Sequence, residues 1–270
     1  TRSIRRRSKM DPHRILDDLG IACGESIAIT GTGGKTTLLW FLAGSLKARG
    51  KVVVSVTAKM FPPEEPLYEQ LLLDPDRYDP MDQPDHSIWL IAAGVTPAGK
   101  LLGITDSQAL HLSSPNNYLV MEADGSRGLP LKMWYDHEPP VPPSASLTLG
   151  ILPIRALGLP VSPETVYNFD DFSNFTGLKA GEAVTASLLA DLILAPGGLF
   201  KNSKGRKILV INQCDDADLL HQAELLCTAV LNHPRHHELT AIVCMSLKEL
   251  NDENYSHYTC RRIIPENETK

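Results

Sequence analysis

Apolar residues follow two rhythms along this chain: short continuous runs, and stripes at helical spacing. Ser26-Ile27-Ala28-Ile29-Thr30 is one short run, and residues 51–57 form another around Val52, Val53, Val54 and Val56. Between them Leu38, Leu39, Leu42 and Leu46 fall on one helical face, after a glycine cluster and before Gly50. Strand, loop, helix and strand in about thirty residues is the length of a βαβ unit. Further apolar runs predict strands at 87–93, 117–123, 146–151, 207–211 and 240–245. Helical spacing predicts helices at 182–194 and 216–231, and Asp11-Pro12 opens an N-terminal helix with Ile15, Leu16 and Leu19 inward, ended by Gly20. Near-continuous Val/Ile/Leu strands belong to parallel sheets covered on both faces. The predicted class is therefore α/β, a mostly parallel sheet with helices on both faces.

Two stretches break the alternation. Residues 62–84 are rich in Pro, Asp and Glu, with a short helical piece expected at 67–73. Residues 138–163 carry seven prolines, a stiff, donor-poor backbone suited to loops and lids. The 270 residues, 43% of them hydrophobic, suffice for one sizeable domain over 11–270 with that proline-rich insertion. No apolar run approaches a membrane span, so no membrane partner is expected. The net charge of −6 argues against coating nucleic acid. Arg2, Arg5, Arg6, Arg7 and Lys9 precede Met10 without an acid among them, and residues 1–10 are expected to be a basic leader or extension. The five cysteines form no Cys-x-x-Cys pair, and an odd count argues against a disulfide framework; a reducing, cytoplasmic compartment is the expectation. His233, His236 and His237 surround Pro234 and Arg235 and read as a solvated helix end.

The strongest chemical motif is Thr30-Gly31-Thr32-Gly33-Gly34-Lys35-Thr36-Thr37, set between a predicted strand and a predicted helix. Glycines let successive N–H groups point at phosphate oxygens, and the helix start adds positive partial charge. Lys35 suits the β- and γ-phosphates, and the Thr36 hydroxyl suits a magnesium ion. The full phosphate-loop pattern has glycine six residues before the lysine, where this chain has Ile29. Residues 31–36 match the shorter Gly-Thr-x-Gly-Lys-Thr form and resemble the ATP loop of Mur-type amide ligases. The fold expectation sharpens to P-loop NTPase-like, with a nucleoside triphosphate (ATP or GTP) and Mg2+ as cofactors.

A second strand, 118–121, delivers Glu122, Asp124, Gly125 and Arg127 at its C-terminal end, the ligand edge of a parallel sheet. Glu122 and Asp124 are two apart and so share one face of a strand. They are candidate catalytic residues with Lys35, and candidate metal ligands with Thr36. Arg127, Lys132, His137 and Glu138 are candidate substrate residues within loop reach. The run 208–211 leads into Asn212-Gln213-Cys214-Asp215, which resembles the Asn-Lys-x-Asp guanine motif of GTPases, with Gln213 in the lysine's place. Asn212 and Asp215 are then base contacts; the competing reading is that Asp215 or Asp216 caps the next helix.

Taken in order, 31–37, Thr57-Ala58-Lys59-Met60, Glu122-Ala123-Asp124-Gly125-Ser126-Arg127, Pro130-Leu131-Lys132, His137-Glu138-Pro139 and 212–215 resemble the selenium-dependent hydroxylase accessory proteins of the YqeC type. The resemblance covers 10–231, and the Glu-Ala-Asp-Gly segment with its downstream Lys and His-Glu-Pro is its most specific part. It implies a nucleotide-using accessory factor, with a molybdenum hydroxylase or its maturation factors as partner. The family's His-Arg pair after the proline-rich stretch is absent, and Val161-Ser162-Pro163 stand there. Three functions compete: an NTPase serving cofactor maturation, an ATP-dependent small-molecule kinase or ligase, and a non-hydrolysing nucleotide-bound scaffold.

Overall fold

The structure is a computed structural model that describes residues 2–8, 12–247 and 258–264, with side chains described over 15–247. In chain order it runs β1 (Arg2–Ser8), α1 (Pro12–Asp18), β2 (Ser26–Gly31), α2 (Lys35–Lys47), β3 (Lys51–Val56), β4 (Lys59–Met60), β5 (Gln70–Leu72) and β6 (Ile88–Ile91). Next come β7 (Leu101–Leu102), α3 (Asp106–Leu112), β8 (Asn117–Glu122), β9 (Leu131–Lys132), β10 (Leu147–Pro153), β11 (Val166–Tyr167) and α4 (Phe169–Thr176). The chain continues through α5 (Ala186–Leu194), β12 (Arg206–Asn212), α6 (Ala217–Asn232), β13 (Ala241–Cys244) and β14 (Tyr258–Ile264).

Ten strands make one sheet in the order β1-β14-β13-β12-β10-β2-β8-β3-β6-β5. The eight strands from β13 to β5 run parallel, and β14 and β1 add antiparallel at one edge. The strands alternate their side chains between two apolar layers. Val52, Val54 and Val56 pack with Leu38, Leu42 and Leu46 of α2 and with Ile15 and Leu19 around α1. On the opposite face Val53 packs with Ala109 and Leu112 of α3, while Leu209, Ile211 and Ile242 pack with α5 and α6. The α/β, P-loop NTPase-like class read from the sequence is the class observed.

This order decides where a site can lie. From β2 the chain crosses to β3, and it later returns past β2 to lay down β10 on the other side. The strand ends around β2 thus form a switch point, where α/β sheets open a crevice. Register aligns those ends: Ile29 stands beside Glu122, Ile151 beside Gly31, and Pro153 beside Asn212.

Two local expectations change. The helical piece at 67–73 is instead edge strand β5, paired with β6 through Gln70–Trp89 and Leu72–Ile91; backbone pairing with a neighbour overrides the helical preference of Glu, Gln and Leu. The helix expected from 182 starts at Ala186, because the Thr185 hydroxyl accepts from Leu188 N–H and caps it there. The strand expected at 146–151, within the proline-rich stretch, is present as β10, a central strand beside β2. Residues 2–8, expected as a leader, pair with β14. Asp11, Met10 and Lys9 lie outside the described residues, and so does the side chain of Cys260.

Candidate functional site

β2 ends at Gly31 and α2 starts at Lys35, so the glycine loop joins a central strand to a helix N-terminus. Gly31 sits at φ 105°, where a Cβ would strike the Ile151 carbonyl; Gly33 sits at φ 70°, where a Cβ would strike the Pro153 ring. Neither position accepts another residue without displacing the loop. The loop is tied to its neighbours on several sides. Thr32 N–H donates to Ile151 O at 2.9 Å, and the Thr32 hydroxyl donates to Pro130 O at 2.7 Å. Asn212 Nδ2 donates to Gly33 O at 2.8 Å, while Asn212 Oδ1 accepts from Leu247 N–H at 3.0 Å.

Glu122, the last residue of β8, and Asp124, two residues beyond it, both reach this loop, but they do different things there. Glu122 Oε2 accepts from the Thr36 hydroxyl at 2.7 Å. Burial pushes its carboxyl above the usual glutamate value and Asp124 adds to this, against the pull of Lys35 and the Thr36 hydrogen bond. Asp124 turns beneath the loop. Its oxygens accept from Gly31 N–H at 3.2 and 3.3 Å and from Trp134 Nε1 at 2.8 Å. Lys35 Nζ lies 3.4 Å from Asp124 and donates to Gly31 O at 2.7 Å, so the ammonium folds back across the loop.

Behind Asp124 lies Lys132, whose side chain is wholly buried. It donates to Gly125 O at 2.6 Å and pairs with Asp124 at 3.5 Å and with Glu138 at 3.0 Å. Its ammonium also sits 5.3 Å from the Tyr167 ring centre, and Arg127 sits over the same ring at 5.1 Å. His137 is exposed and stacks on Tyr135 at 5.8 Å. Asp215 accepts from the Ser246 hydroxyl at 2.6 Å and from Arg155 at 3.1 Å, while Asp216 caps α6 by accepting from Leu219 N–H at 2.8 Å.

Above the loop opens a cleft of about 940 Å3. Its floor is 33–37 with Glu122. One wing is Asn212, Gln213 and Leu247; the other is 125–128 with one end of the two-stranded β4–β7 sheet. Of the sequence candidates, Gly33, Gly34, Lys35, Thr36, Thr37, Glu122, Arg127 and Asn212 line this cleft. Gly31, Thr32, Asp124 and Lys132 lie behind it as buried support. His137, Glu138 and Asp215 are not among its walls. Phe61, Lys100 and Trp134 carried no motif in the sequence: Phe61 and Lys100 meet through the pairing of β4 with β7, and Trp134 joins by turning its indole N–H onto Asp124.

A family model described as YqeC protein matches residues 27–170. The chain is 33% identical over 229 residues to a relative from Escherichia coli (strain K12) whose printed name is Uncharacterized protein YqeC; the match covers 82% of this chain and 89% of the relative. The chain belongs to the YqeC family. The YqeC match holds the loop, both acids, Arg127, Lys132, His137 and Glu138, and it ends before Asn212. No solved structure matches the chain significantly. Among the described residues, no helix is long and apolar enough to cross a membrane.

Proposed function

We propose that this YqeC-family protein binds a nucleoside triphosphate with Mg2+ at the glycine loop and acts on its terminal phosphoryl group, as an NTPase accessory to maturation of selenium-dependent molybdenum hydroxylases. One observation carries the nucleotide reading: a Gly-Gly-Lys-Thr turn opens a helix at the sheet's switch point, with a strand-end carboxylate 2.7 Å from the threonine hydroxyl. Backbone N–H groups and the helix N-terminus would receive phosphate oxygens. Lys35, now on the Gly31 carbonyl, would move its ammonium onto the phosphates, where its charge is better opposed.

The donor set fits magnesium. Thr36 and Glu122 are hard oxygen donors, adjacent to one another and facing the cleft. Asp124 is committed to Gly31, Trp134, Lys35 and Lys132, so its work is to hold the loop and fix Lys35. Bound there, the metal would supply positive charge against the terminal phosphates. Thr36 and Glu122 would hold it directly or through its waters, and Lys35 would orient the group being transferred.

The hydroxylase role rests on the family resemblance, and its readout is hydroxylase maturation in cells carrying Lys35→Ala. The nucleotide reading is tested by titrating purified protein with ATP and with GTP, with and without Mg2+, followed by phosphate release. Binding in the micromolar range that needs Mg2+ and is lost in Lys35→Ala supports it. Failure of both nucleotides to bind refutes it. GTP preference would favour a base contact on the Asn212 and Gln213 wing of the cleft. A second reading, transfer to an acceptor, draws on the cations at the far wing of the cleft.

A further inference from the structure

The two wings of the cleft differ in charge. The Asn212, Gln213 and Leu247 wing has no ionisable side chain. The opposite wing carries Lys59, Lys100 and Arg127, and the sole acid lining the cleft among the described residues is Glu122 on the floor. None of these three cations is ion-paired with a carboxylate among the described residues. With Lys35 and a magnesium ion serving the triphosphate on the floor, the wing's three cations are charge beyond what that ligand would require.

The positions of these cations follow from the backbone. Ile104 N–H donates to Val56 O at 2.8 Å and ties the β4–β7 pair to the end of β3. Met60 pairs with Leu101 in antiparallel register, which sets Phe61 across from Lys100 one step further out. Thr96 accepts from Lys100 N–H through its hydroxyl at 3.0 Å and donates its own N–H to Lys100 O at 2.7 Å, fixing the turn that presents the lysine. The Lys100 ammonium lies 4.8 Å from the Phe61 ring centre, and the ring remains 58% exposed. A large apolar ring left in water beside unpaired cations is a surface shaped for a ligand with matching parts.

We propose that this wing is an acceptor subsite for a flat, anionic small molecule, with Phe61 as the stacking surface and Lys59 and Lys100 receiving its phosphate or carboxylate. The inference rests on the nucleotide reading for its meaning as an acceptor site: the triphosphate lies over 33–37, its base toward Asn212, and the second substrate enters from the β4–β7 side. Arg127, between the two, faces both anions.

The probe is 1-naphthyl phosphate, titrated calorimetrically into protein saturated with Mg2+ and a β,γ-imido ATP analogue; 1-naphthol and inorganic phosphate serve as controls. The expected result is saturable binding of the probe, stronger than either control. A Lys59→Ala/Lys100→Ala double variant should weaken it at least tenfold, and Phe61→Ala at least fivefold, with affinity for the ATP analogue changed less than twofold. Phe61→Leu, which keeps apolar bulk and removes the flat ring, guards against a disturbed β4–β7 pair and should behave like the alanine variant. Absent probe binding, or binding indifferent to these substitutions, overturns the subsite. Loss of the ATP analogue in the double variant also overturns it, since the lysines then serve the triphosphate. The same titration without nucleotide separates the two readings. Probe binding that depends on Lys100 and Phe61, in protein that binds neither ATP nor GTP, removes the nucleotide reading and keeps the anion subsite.

Discussion

Replacing Lys132 with methionine is the sharpest test of what holds the glycine loop in place. The side chains of Lys132 and Asp124 have no exposed surface, and that of Glu138 is 15% exposed. Methionine keeps most of the lysine's length and apolar stem, so packing against Tyr167 is largely retained and the change is mainly one of charge. Asp124 would still have Gly31 N–H, Trp134 and Lys35, but Glu138 would lose its ammonium at 3.0 Å and Gly125 O its donor at 2.6 Å. Removing one partner of a buried pair costs about 3–5 kcal/mol. Unfolding entropy near about 2.1 cal/mol/K per residue gives about 0.57 kcal/mol/K for 270 residues, so the loss corresponds to a fall in Tm of about 5–9 °C. Differential scanning calorimetry at neutral pH reads this directly. Adding Glu138→Gln should recover a good part of the loss, because it removes the carboxylate left uncompensated. A fall under about 2 °C, or no rescue by the second change, would refute the view that Lys132 is held by charge.

Glu122→Gln should raise Tm at neutral pH in the absence of Mg2+ and nucleotide. The folded-state pKa of Glu122 is raised, so the favourable contribution of its proton is complete below the ordinary glutamate value of 4.5 and is lost as pH rises through the folded value. The advantage of glutamine, which keeps an acceptor for Thr36, should therefore vanish toward pH 4.5. A pH-independent difference would contradict burial as the cause. Gly33→Ala should cost about 1–3 kcal/mol from left-handed strain plus a Cβ 2.5 Å from the Pro153 ring, and should weaken nucleotide binding at least tenfold by titration. Unchanged nucleotide affinity would place the phosphates elsewhere. Asn212→Ala frees Gly33 O and leaves the buried Leu247 N–H without its acceptor, a loss of about 1–3 kcal/mol by chemical denaturation; a loss below about 0.5 kcal/mol would mean that water replaces the amide.

The central elements were legible because they are locally determined. The run 26–30, the glycines and the Leu38, Leu42, Leu46 stripe each announce their geometry within a few residues, and β2, the loop and α2 follow. Glu122 at a strand end was legible for the same reason. Asp124 was legible as a residue of the site, although the sequence could not tell that its oxygens turn under the loop toward Gly31 and Trp134. What stayed hidden depends on distant pairing. Leu67, Leu71 and Leu72 have helical spacing, yet residues 70–72 bond to a strand almost twenty residues later. Phe61 and Lys100 meet only because β4 finds β7. Lys132 looked like a substrate cation; only the fold shows it buried between two carboxylates.

The glycine loop is held by strands on both of its flanks, through Asp124 on Gly31, Ile151 on Thr32 and Asn212 on Gly33. A loop fixed in this way has already given up its backbone freedom during folding. A phosphate arriving there need not order it, so that entropy is not subtracted from affinity. In a comparison of heat and affinity, ligand contacts at 31–34 should carry little ordering penalty, and whatever entropy binding does cost should come from Lys35 and the side chains of the exposed wing. The same bracing makes the loop a poor hinge: if a phosphoryl group is bound and lost there, the accompanying shape change would have to be taken up by side chains around the loop, Lys35 first among them, and not by its backbone.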